Sequence, residues 1–131
     1  MEHVEYAYRV RVERDFVAQH FLTVPDPGPE GEINGHHFRV ELRFAGDELD
    51  EHEYLVDIDR VEDALDAVEA RYADALLNDL PEFAGHNPSV ERFAEAVGDR
   101  VADAFENPNP ERLAVRIWED DQAWASHRRD L

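Results

Sequence analysis

The chain has 131 residues, 32 acidic against 13 basic side chains, a net charge of −19 and no cysteine. That length makes a single domain, residues 1–131, with room for a buried core. The charge argues against nucleic acid and anionic membranes as partners, and the missing cysteine excludes disulfides, thiolate metal ligands and a cysteine nucleophile.

Every basic residue is Arg, and the acid is spread over the whole length instead of being gathered in a tail. Dense hydrated carboxylates of this kind keep a protein soluble in a salt-accumulating halophile, where self-repulsion is screened over about 3 Å at 1 M salt; an acidic partner-binding surface is the alternative. No stretch has the apolar length of a membrane span, and Met1-Glu2-His3-Val4-Glu5 lacks the basic and apolar regions of a signal peptide. The expectation is a soluble, cytoplasmic protein.

In chain order, Val4, Tyr6, Tyr8, Val10 and Val12 alternate with polar residues, and the pattern resumes through Phe16, Ala18, His20 and Leu22. This is the period of a half-buried strand, with His20 on its apolar face. Three prolines between Pro25 and Pro29 make the next segment a loop. A second strand follows, with His36, Phe38, Val40, Leu42 and Phe44 on one face and His37, Arg39, Glu41 and Arg43 on the other. The two strands are expected to pair as a long antiparallel hairpin.

Asp59 with Glu62 reads as a capping box opening a helix through Val61, Leu65, Val68, Tyr72 and Leu76. Asn87-Pro88 reads as the cap and first position of a second helix, with Val90, Phe93, Ala94, Val97, Val101 and Phe105 as its apolar stripe. Leu113, Val115 and Ile117 alternate in a third strand, and Gln122 to His127 form a short fourth. Two strands, two helices and two strands make an α+β domain with both helices on one face of an antiparallel sheet. The open sheet edges invite pairing with further copies.

Several fragments, in this order and spacing, resemble the 6-pyruvoyl-tetrahydropterin and 6-carboxytetrahydropterin synthase family. They are Phe16-x-Ala18-x-His20, Asn34-Gly35-His36, Asp57-Ile58, Leu77-Asn78-Asp79, Asn87-Pro88-Ser89-Val90-Glu91 and Glu119 after Ile117-Trp118. The resemblance implies the T-fold, in which subunits close their sheets into a shared barrel with pockets between them. It also implies a zinc-dependent carbon-oxygen lyase acting on dihydroneopterin triphosphate or a related dihydropterin.

Site residues follow from the same resemblance. His20 and His36 match two of three zinc histidines; Asn34 stands at the third position, where a neutral amide oxygen is a poorer zinc ligand than imidazole. The pair either holds a weakened zinc site or forms hydrogen-bonded histidines at the rim of the core. Glu30 stands where the family has its catalytic Cys. Glu30 or Glu32, in the nearby loop, is a candidate carboxylate ligand, and at the Cys position a candidate general base if burial raises its pKa; the simpler reading is a solvated loop carboxylate. The family's Asp-His dyad falls on Ala73-Asp74, leaving Asp74 as the remaining acid. Glu119, on an apolar strand face, matches the residue that grips the amino-pyrimidine edge of the pterin, with a strand-end acid as the alternative. Ser89 adds a hydroxyl contact or serves the helix start. His86 is a loop residue or a replacement base. A catalytically inactive pterin-binding or scaffolding homologue is the competing reading, since the Cys, one His and the dyad are absent.

Overall fold

The structure is a computed structural model that describes residues 5–131, so His3 and Val4 lie outside the described residues. Its elements are β1 (Tyr8–His20), β2 (Asn34–Gly46), α1 (Ile58–Tyr72), α2 (Val90–Asp103), β3 (Arg112–Trp118) and β4 (Trp124–Asp130). The four strands form one antiparallel sheet in the order β1-β2-β3-β4. β1 and β2 pair over their full length, from Tyr8 opposite Gly46 to His20 opposite Asn34, as the expected hairpin.

Strand alternation decides which side carries the core. Phe38, Val40, Leu42 and Phe44 of β2 and Leu113, Val115 and Ile117 of β3 are buried beneath Val61, Leu65 and Val68 of α1 and Phe93, Val97 and Val101 of α2. Each such side chain contributes about 1.5–3 kcal/mol on burial. Phe93 centres an aromatic cluster, 5.2 Å from the Phe38 ring and 5.1 Å from Tyr72. The aromatic cluster continues to His20, whose ring stands edge-on to Phe38 at 6.1 Å. No helix among the described residues is long and apolar enough to cross a membrane.

Helix ends differ from the sequence reading for local reasons. The α1 cap is Asp57, which accepts from the Asp59 N–H at 2.9 Å, so the helix starts before the Asp59/Glu62 box. It also stops before Leu76. Asp74 turns the chain with φ 61, its N–H donates to Val17 O, and Gln19 N–H donates to Ala75 O, which lays this segment along the edge of β1. The α2 cap is Ser89, two residues after the expected Asn87, with its Oγ accepting from the Arg92 N–H at 3.1 Å. β4 begins at Trp124 because Asp120 Oδ1 accepts from both Gln122 and Ala123 N–H groups and uses Gln122 in a turn.

One strand residue departs from its expected environment. Glu41 points to the face away from the helices, yet it is only 2% exposed, receiving Arg43 Nε at 3.2 Å and Trp118 Nε1 at 3.3 Å.

Candidate metal centre and adjoining cavity

Everything around His20 is arranged by the segment that leaves β1. Asn78 clamps Phe21 from both sides, its Oδ1 accepting from Phe21 N–H at 2.9 Å and its Nδ2 donating to Phe21 O at 3.0 Å. Asn87 Oδ1 then accepts from Thr23 N–H at 2.9 Å. The two asparagines read in the sequence as family fragments are thus backbone clamps. They fix the exit of β1 against the turns before α2, where an unpaired N–H would otherwise be costly.

His20 is 2% exposed, and its Nδ1 lies 2.9 Å from Pro88 O. A carbonyl only accepts, so Nδ1 carries the proton and Nε2 is left with a free lone pair. That Nε2 atom is buried with no hydrogen-bond partner among the described residues.

His36 sits on the same sheet face, its ring 5.2 Å from that of His20 and perpendicular to it. Glu30, in the 3-10 turn Gly28–Gly31, completes a set in which one donor atom from each of His20, Glu30 and His36 lies within 4.8 Å of the others. A lone pair buried beside a second imidazole and a carboxylate fits a divalent cation held by two nitrogens and an oxygen, a donor set compatible with zinc. A buried lone pair with a fixed tautomer is what an orienting carbonyl behind a metal-binding histidine provides.

Asn34 is the site residue that sequence reasoning underrated. Its Nδ2 donates to Glu30 O at 3.3 Å and Glu32 O at 2.9 Å, which turns Oδ1 to His36 Nε2 at 2.6 Å. The amide therefore ties the Glu30 loop to the His36 ring, its Oδ1 accepting from His36 Nε2. Its opposition to His20 across the hairpin was the signal available in the sequence.

Glu119 joins this group, its Oε1 3.8 Å from His36 Nε2. It lines two adjoining hollows: one of about 500 Å³ with His36, Arg39 and Asp15, and one of about 200 Å³ with Glu91 and Trp124. The remaining candidates do not belong to the three-residue donor set. Glu32 is exposed, Asp74 is exposed at the end of α1, and His86 is exposed in the loop before α2. Ser89 serves as the α2 cap and borders another hollow with Ser126 and His127.

A model of the family described as 6-pyruvoyl tetrahydropterin synthase matches residues 9–130, and the chain belongs to that family. It is 27% identical over 130 residues to the 6-carboxy-5,6,7,8-tetrahydropterin synthase of Bacillus subtilis (strain 168), covering 94% of this chain and 86% of the relative. The fold matches the 6-pyruvoyl tetrahydropterin synthase of Plasmodium falciparum with a TM-score of 0.79 at 13% identity, over 95% of this chain and 98% of that one. A Plasmodium vivax 6-pyruvoyltetrahydropterin synthase in which a glutamate described as a catalytic residue is replaced by alanine matches with a TM-score of 0.77 at 14% identity, over the same shares. The architecture is therefore the T-fold, as the order of elements implied.

Proposed function

We propose that the chain binds a reduced pterin beside a zinc ion held by His20, His36 and Glu30, and acts as a carbon-oxygen lyase on dihydroneopterin triphosphate or a close relative. The buried, unpartnered Nε2 of His20 facing His36 and Glu30 is the observation that carries this reading. When bound, zinc supplies a Lewis acid that polarises an oxygen on the pterin side chain. The chain supplies the rest: Glu119 accepts the paired N–H groups of the pterin ring, and Pro88 holds the His20 tautomer. The Bacillus subtilis relative bears the name of a 6-carboxytetrahydropterin synthase, which supports the substrate class.

Glu30 is also the candidate general base, in keeping with the glutamate named as catalytic in the Plasmodium vivax protein. It cannot both ligate the metal and take a proton with the same oxygen. Glu32, exposed beside the same turn, is the alternative carboxylate, and Asp74, exposed after α1, would act at a site completed by a neighbouring copy joined through an open sheet edge. We extend the reading to a homo-oligomer with sites between subunits, in the cytoplasm of a salt-accumulating cell.

The second reading, binding without turnover, is favoured by Ala73 and by the exposure of Asp74. General acid and base groups each contribute about 10² to 10⁴ in rate. Calorimetric titration of a reduced pterin into the native protein and Glu119→Gln, beside a product assay in molar KCl, separates the two. Binding at least about tenfold weaker in the variant is expected. Equal binding removes Glu119 from the site, and binding without product selects the inactive reading. Equal melting temperatures in dilute buffer and molar KCl would sink the halophile reading, because a net charge of −19 should make folding salt-dependent.

A further inference from the structure

A separate cavity of about 440 Å³ opens on the face of the sheet away from the helices, around Val10 near the start of β1. Val10 lies ten residues from His20 along the strand, roughly 33 Å at the usual rise. The cavity wall carries Arg9, Arg11, Arg43, Arg112 and Arg128, with Tyr6 beside them. Among the described residues no carboxylate lines it, in a chain with 32 acidic against 13 basic side chains.

The sheet register explains how scattered arginines converge. One cross-strand row reads Arg9, Ala45, Arg112, and the next reads Arg11, Arg43, Ala114, Arg128. Ala45 and Ala114 keep the floor low while the long guanidinium side chains stand around it. Arg11 directly opposes Arg43, a like-charge pair that is unfavourable without a counter-charge. Glu41 supplies it, 3.6 Å from Arg11 and 3.2 Å from Arg43, and Asp130 holds Arg112 at 3.1 Å. Arg9 and Arg128 are exposed and have no ion-pair or hydrogen-bond partner among the described residues. Two guanidiniums thus remain uncompensated beside three that are already oriented.

We propose that this cavity is a binding site for an oligophosphate anion. Planar guanidinium forks match phosphate oxygens two at a time, and several of them around one hollow match a ligand with several charges better than a single carboxylate. The volume suits a ligand of nucleotide size, and Tyr6 with the apolar floor offers a surface for an organic portion. The site requires neither the metal nor the pterin, so it stands or falls apart from the reading of the histidine centre.

The test is calorimetric titration of inorganic tripolyphosphate into the full chain at fixed ionic strength, compared with the double variant Arg9→Gln/Arg128→Gln. One equivalent per chain is expected, weakened at least about tenfold in the variant, with zinc content the same in both proteins. Adenosine triphosphate forms a second arm: tighter binding than tripolyphosphate identifies an organic oligophosphate, and equal or weaker binding identifies the inorganic chain. Equal affinity in the native and double-variant proteins overturns the proposal, as does equally strong binding of sulfate. Should the double variant unfold, guanidinium Nε resonances of the native protein decide. Shifts at Arg43 and Arg112 on adding tripolyphosphate support the site, and shifts confined to Arg60 and Arg92 overturn it.

Discussion

The cluster around Glu82 and the cluster around His20 are both built where helix ends meet turns, and they are satisfied in opposite ways. Glu82 receives Arg71 Nε at 2.7 Å, the Tyr72 hydroxyl at 2.6 Å and Arg100 Nε at 3.4 Å. Its carboxyl is held down to about 2, first by the Arg71 hydrogen bonds and also by the Tyr72 hydroxyl, against the opposing effect of burial. Burial and then the bond to Glu82 push the Tyr72 hydroxyl up to about 12. His20, by contrast, keeps a buried nitrogen without a partner. The first cluster closes on itself; the second leaves a buried nitrogen lone pair beside His36 and Glu30.

The largest expected effect tests the incomplete cluster. Replacing His20 by Ala should reduce zinc affinity by at least about 100-fold, since a ligand contributes more than its supporting hydrogen bonds do. Metal removal by a chelator should lower the melting temperature of the native protein and of Glu82→Gln alike, while leaving His20→Ala unmoved. A chelator shift that survives in His20→Ala would show that the metal lies elsewhere and the contrast is false.

The closed cluster is tested by Glu82→Gln, with an expected loss of about 2 kcal/mol, between the small value of an exposed pair and the larger one of a buried pair. Its pH dependence has a definite sign. A carboxyl depressed from 4.5 to about 2 stabilises the fold above pH 4.5, and that contribution is lost as pH falls through about 2. A hydroxyl raised from 10.0 to about 12 stabilises below pH 10 and loses its contribution as pH rises through about 12. Urea unfolding between pH 2 and 5 should therefore show a shallower loss of stability in Glu82→Gln than in the native chain. Parallel curves would remove Glu82 as a stabilising group.

The sequence reveals the sheet and the inward histidines for one reason, and hides their surroundings for another. Period-two alternation from Phe16 to His20 and from His36 to Phe44 is local, so both strands and their buried faces can be read directly. Partners from distant segments are not local. Nothing within the hairpin announces that Pro88 O meets His20, that Trp118 covers Glu41, or that Arg112 and Arg128 arrive beside Arg9. Each helix has two closely spaced cap candidates, Asp57 or Asp59 and Asn87 or Ser89; for the second, a tertiary contact decides, since Asn87 is engaged by Thr23. The candidate metal set is legible as two histidines with Glu30 or Glu32 as an alternative carboxylate, and the choice of Glu30 depends on a turn that the proline-rich loop signals without specifying.

The smallest effect is the most specific test of how the incomplete cluster is arranged. Asn34 faces His20 across the hairpin, two residues before His36 on the same face, so a histidine there would stand beside both imidazoles. Imidazole is the better zinc ligand than a neutral amide oxygen, and Asn34→His should tighten zinc about tenfold, equivalent to about 1.4 kcal/mol. The same change removes the amide hydrogens that hold the carbonyls of Glu30 and Glu32, two bonds of about 1 kcal/mol each. The metal-free variant should accordingly melt lower than the metal-free native chain, while the zinc-loaded variant recovers part or all of that loss. Competition titration with a zinc chelator and paired melting curves measure both halves. Lower stability without tighter zinc would assign Asn34 to the loop alone, and unchanged zinc affinity with unchanged stability would mean that its side chain faces neither the metal donors nor the Glu30 turn.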